Sequence, residues 1–109
     1  MNDTLLLLRD TLLAQRHEPE LIPLPAGIFA QTDRQLADLK TCWQATGDDI
    51  VKDTHEAIVL AREDLQEERA ERIWAMAYTQ ADASPAMTES EKDLFEMLRS
   101  MTARLRGIE

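Results

Sequence analysis

A chain of 109 residues is the size of one domain. Hydrophobic residues make up 44% and can build a core, but aromatics are only 5%, so that core must be mostly Leu, Ile, Met and Ala. A net charge of −9 leaves out the basic footprint of a duplex-binding protein; an acidic chain joins nucleic-acid machinery as a protein-binding part.

Glycine and proline are scarce, and three of the four prolines crowd into "HEPELIPLPAGIF" at 17–29. Such a composition favours long helices over many strands and turns. The lone Cys42 has no disulfide partner within the chain and fits a reducing, cytoplasmic setting. The apolar run at 5–8 is far short of a membrane span, and no basic segment of a signal peptide precedes it.

The first segment runs from Asp3 to Arg16, with Asn2 or Asp3 as its cap. Leu5, Leu8 and Leu12 form a stripe that Leu6 and Leu13 widen. Pro19 stops the helix, because the residue before a proline is biased away from the α region. The second segment begins near Pro25, a residue suited to a first helical turn, and ends at Thr46 before Gly47. Its apolar face is Ile28, Thr32, Leu36, Leu39 and Trp43, with Cys42 beside it as a small buried hydrophobe.

The third segment starts at Asp48 or Asp49, acidic residues suited to a helix N-terminus, and reads without a break to Tyr78. Its stripe is Val51, Thr54, Ile58, Ala61, Leu65, Ile73 and Met76. At 1.5 Å per residue this helix is roughly 45 Å long, against a radius of gyration near 13 Å for a compact chain of this size. It is expected to outrun its own globule. Glu63, Glu67, Glu68 and Glu71 alternate with Arg62, Arg69 and Arg72, a pattern that fits i,i+4 ion pairs. The pattern suits either a solvated face or a polar seam between packed subunits. Trp74 and Tyr78 share a face near the helix end, where they are either core or protein-contact anchors.

The stretch "TQADASPAMTESE" is a loop broken by Pro85, and Thr88 with Glu91 makes a capping box for the fourth segment. That helix extends from Glu89 to Arg106 with Leu94, Leu98, Met101 and Leu105 as its stripe, broadened by Phe95 and Met97. Gly107 is its C-cap, and Arg104 and Arg106 suit the last turn. The expected fold is all-α: an elongated antiparallel bundle of about four helices, one domain over 1–109.

Catalytic motifs are wanting. His17 and His55 read as structural or surface residues, no Glu-x-x-His occurs, and Cys42 lacks a Cys-x-x-Cys partner. There is no Gly-rich phosphate loop, and the pairs Asp48–Asp49 and Glu67–Glu68 are adjacent, so they diverge around a helix. Arg99, Arg104 and Arg106 read as complements to the helix dipole rather than as a phosphate site. A non-enzyme without cofactor or metal is expected.

The order of motifs resembles the subunits of the GINS complex, archaeal type. "LLLLRDTLLAQRHEPELIPLPAGIF" is similar to that family's N-terminal leucine-rich helix and its acid-and-proline passage ending at an aromatic residue, here Phe29. "EAIVLAREDLQEERAERIWAMAY" resembles its charged helix, in which basic residues (Arg69 and Arg72) precede a small apolar tail. "MTESEKDLFEMLRS" is similar to its threonine-capped acidic start before a Leu/Phe helix. Family members typically add a small β-rich domain, so "RLRGIE" looks like a cut at a domain linker, or this member lacks that domain.

The resemblance implies a scaffold: a non-catalytic subunit of a tetrameric or dimeric assembly with itself or a sister subunit. It implies association with the minichromosome maintenance helicase and a RecJ-like protein in DNA replication, without strong direct binding to nucleic acid or membrane. On this reading Leu65, Arg69, Arg72, Ile73, Trp74 and Tyr78 form the subunit interface. The alternative is a generic helical adaptor or regulatory protein. The proline crossing packs over the bundle and directs the second segment back along the third, or is itself a partner-binding edge.

Overall fold

The computed structural model describes residues 2–107. Its helices are α1 (Asp3–His17), α2 (Ile28–Thr46), α3 (Asp49–Tyr78) and α4 (Glu89–Leu105). α3 packs against each of the other three, whereas α4 packs against α3 alone among the helices. Cross-helix pairs fix the directions. Asp33 near the start of α2 pairs with Arg62, and Trp43 near its end meets His55, so α2 and α3 are antiparallel. The last turn of α1 reaches Glu68 and Arg72, so α1 runs with α3. Glu91 meets Arg69 and Thr102 meets Ala77, so α4 runs alongside α3 in the same direction, and the 79–88 loop carries the chain back to its start. This is an all-α bundle, 57 × 24 × 19 Å in extent, with a radius of gyration of 16.8 Å. The expected antiparallel order holds through α1, α2 and α3 and fails at α4, because the loop after α3 doubles back before α4 begins.

The helix ends follow their sequence signals. Asn2 accepts from the N–H groups of Thr4 and Leu5, and Asp48 accepts from that of Ile50. Thr88 and Glu91 complete the capping box of α4. Gly47, at φ 68°, closes α2 in the left-handed conformation that a residue with a Cβ avoids. The start of α2 differs from expectation. Pro25 lies outside the helix, and Gly27, at φ 69°, turns the chain so that helical geometry begins only at Ile28.

Two apolar clusters divide the interior. One joins Leu5, Leu8 and Leu12 of α1 to Ile28 and to Ile58, Ala61 and Leu65 of α3. The other joins Leu21 of the proline crossing to Ile73 and Ala77 of α3, Met87, and Phe95 of α4. Leu65 belongs to the first and Ile73 to the second, and Arg69 stands one turn from each.

Two expectations need correction. Cys42 is exposed rather than buried, because it lies outside the Leu36–Leu39–Trp43 row that α2 turns toward α3. α4 is rotated from its expected stripe: Phe95, Thr102 and Ala103 are buried, while Met101 and Leu105 face outward. Glu91, Phe95 and Thr102 share one helical face, and contact of Glu91 with Arg69 and of Thr102 with the Ala77 carbonyl sets that face inward.

Candidate functional site

At the middle of α3 a guanidinium is sealed from solvent. The Arg69 side chain is 0% exposed, and each of its five N–H donors has a partner. Nε donates to Glu91 Oε2 at 2.7 Å and Nη2 to Glu91 Oε1 at 2.8 Å, a bidentate pair. Nη2 also donates to the Ala86 carbonyl, and Nη1 donates to the Ile22 carbonyl and to Gln15 Oε1. Gln15, itself fully buried, donates to the Glu20 carbonyl and accepts from the Ile22 N–H. One arginine therefore ties α1, the proline crossing, the 79–88 loop and α4 to α3. The crossing is non-helical, and its backbone polar groups find these side-chain partners in place of a helix ladder.

Burial pushes the Glu91 carboxyl up, but the hydrogen bonds from Arg69 and Thr88 outweigh it and hold the group below the usual carboxylate range. A turn further along, Arg72 donates to the Gln15 and Glu18 carbonyls and pairs with Glu68 at 2.7 Å. Hydrogen bonding from Arg72, with a smaller contribution from Arg16, keeps Glu68 low as well.

The expected seam residues separate into two groups. Leu65, Arg69 and Ile73 are 0–1% exposed and are covered by helices and loops of their own chain. Arg72 is largely used by α1 and the crossing. Trp74 and Tyr78 are 48% and 50% exposed, with ring centroids 6.4 Å apart. Sequence reasoning placed all six on one surface because it read the arginines as outward. They point inward, and the residues on either side turn with them.

Beside Trp74 and Tyr78 lies an outward apolar row on α4 that the expected stripe concealed. Met97, Met101 and Leu105 follow one helical row, and Leu105 is 80% exposed. Leu94, at the head of the row, shares a groove with Ala70 and Ile73 on the flank of α3 from which Trp74 projects. Arg106 lies over the Tyr78 ring at 4.9 Å and donates to its carbonyl. The two rows border one apolar face at the α4 end of the molecule.

The salt lacing expected along α3 forms at one place rather than along its length. Among the described residues of α3, Glu68–Arg72 is the i,i+4 ion pair. Arg62 crosses to Asp33 and packs over Phe29, and Arg69 is buried against Glu91. Glu63, Glu67 and Glu71 lie outside, and no ion pair reaches them among the described residues. At the α2 end, a groove of about 480 Å³ lies between Trp43 and the outer flank of α3, lined by His55, Glu56, Val59, Leu60 and Glu63.

Among the described residues, no group of three or more His, Cys, Asp or Glu side chains could hold a metal ion, and no helix is long and apolar enough to cross a membrane. Compared with protein-family models, curated proteins and solved structures, the chain matches none of them.

Proposed function

We propose that this chain is a non-catalytic helical scaffold, a subunit of GINS type that supports the replicative helicase in DNA replication. The observation that carries the reading is the apolar face built by Trp74 and Tyr78 of α3 with Met97, Met101 and Leu105 of α4. Contiguous exposed apolar surface on a highly charged protein marks a contact with another protein. The surface has aromatic anchors, and an arginine at its edge stacks on one of them. The order of sequence motifs supplies the family: leucine-rich helix, proline crossing, long charged helix, then threonine-capped helix. In this scheme the face is the seam with a second copy or a sister subunit, and the assembled scaffold joins the minichromosome maintenance helicase and a RecJ-like protein.

Two measurements test it together. Light scattering at micromolar concentration should return a dimeric or tetrameric mass. Affinity capture from an archaeal host extract should retain the helicase and the RecJ-like protein. A monomer that retains neither would sink the reading. An oligomer that retains other proteins would replace it with a helical adaptor unconnected to replication.

A further inference from the structure

A second surface, on the α2 side of α3, has a different character. Glu56, Leu60, Glu63, Glu67, Glu71 and Trp74 stand at intervals of four, three, four, four and three residues, so they form one row. All six are exposed, and among the described residues no cation pairs with the four glutamates. At 1.5 Å per residue the row is roughly 27 Å long. Its α2 end opens into the groove floored by Trp43, Val59 and Leu60, with Glu56 and Glu63 on the rim. Leu60 is 60% exposed there. Lys52, at the tip of the groove, is held over the Trp43 ring at 5.7 Å.

The geometry points to this ridge as the docking site for a basic amphipathic helix of a partner protein. An apolar residue of that helix enters the groove beside Trp43 and Leu60. Lysines or arginines one helical turn apart then face Glu63, Glu67 and Glu71. The charge pattern selects the occupant. A second copy laid ridge to ridge would set carboxylates against carboxylates, which opposes association. Nucleic acid and anionic membrane are repelled by the same row. A cationic helix gains on both counts, burying the exposed leucine and neutralising charges that the fold leaves unmatched. The ridge meets the apolar face of α3 and α4 at Trp74, but the docking contacts at Leu60, Glu63, Glu67 and Glu71 lie outside that face.

The test uses the full chain and a fluorescein-labelled Leu/Lys amphipathic peptide of roughly 18 residues, matched to the ridge at helical rise. Its scrambled isomer of equal composition has no apolar face and serves as comparison. By anisotropy, the amphipathic isomer should bind with at least about tenfold lower Kd than the scrambled one. The triple variant Glu63→Gln, Glu67→Gln, Glu71→Gln should weaken binding about tenfold or more. Leu60→Gln should also weaken it, while Asp10→Asn, Asp93→Asn, Glu96→Gln removes the same charge elsewhere and should change Kd less than about twofold. All these positions are exposed, and unchanged thermal melts confirm that the variants fold. Equal losses in the two triple variants, equal binding of the two peptides, or no binding would overturn the proposal. A fall in the mass seen by light scattering on Leu60→Gln would assign the ridge to a second copy and overturn it too.

Discussion

Arg69 and Glu91 meet through two parallel hydrogen bonds, 2.7 and 2.8 Å long, and the same carboxylate completes the capping box of α4. The start of α4 and its attachment to α3 are therefore one structural event. A buried pair of this kind is weak support for net stability compared with an apolar isostere, yet removing one partner leaves a buried charge without compensation. Arg69→Ala should thus cost about 3–5 kcal/mol in urea unfolding. The double variant Arg69→Met, Glu91→Leu should recover part of that loss, because both charges leave together. A single variant within about 0.5 kcal/mol of wild type would show that the network is not held as described.

The same pair sets an acid limit. Unfolded, the Glu91 carboxyl titrates near its ordinary value of about 4.3, and folded it keeps its charge to lower pH. Its contribution is complete above the ordinary value and is lost as pH falls through the folded one. The unfolding midpoint should therefore fall steeply below about pH 4.3, and Glu91→Gln should flatten that fall. Glu68→Gln should flatten it less, since Glu68 sits nearer the surface. Equal slopes for wild type and Glu91→Gln would contradict the assignment.

Gln15 holds the proline crossing from both sides, through the Glu20 carbonyl and the Ile22 N–H. Gln15→Leu should cost about 1–3 kcal/mol, because it removes an acceptor from buried donors on Arg69 and Ile22. Amide exchange should rise at 18–26 before it rises within α4. Unchanged exchange at Ile22 would mean that the crossing is held by its leucines alone.

Surface and interior positions of α3 and α4 should behave oppositely. Leu65→Ala opens the core and should lower stability by about 2–5 kcal/mol. Trp74→Glu and Met101→Glu change exposed positions and should leave the melt within about 0.5 kcal/mol, but should reduce the assembled mass. Loss of assembly with Leu65→Ala alone, in protein still folded, would put the seam elsewhere.

Most helix boundaries were legible because they rest on local chemistry: Asn2, Gly47, Asp48 and the Thr88–Glu91 box act within a few residues. The orientation of α4 was not legible, because counting Leu and Met weighs hydrophobicity and ignores what a threonine can bond. Thr102 is buried since its hydroxyl reaches the Ala77 carbonyl, a partner that only the tertiary fold supplies. Arg69 did leave a trace. The α3 stripe passes from Leu65 to Ile73, and the position skipped between them is one turn from each. A charged residue in register with a stripe signals a buried ion with a distant counter-charge. Its partners, a carboxylate and two loop carbonyls far along the chain, have no sequence signature.

From 33 to 57 no side chain is buried, although α2 and α3 are continuous through most of that span. Two helices alone cannot enclose the row of Leu36, Leu39 and Trp43, so separating them there exposes little that water does not already reach. α3 is thus one rod with two lifetimes. Its amides beside Arg69 should be released only when the whole molecule opens, while those of its first two turns should exchange through a local parting of the arm.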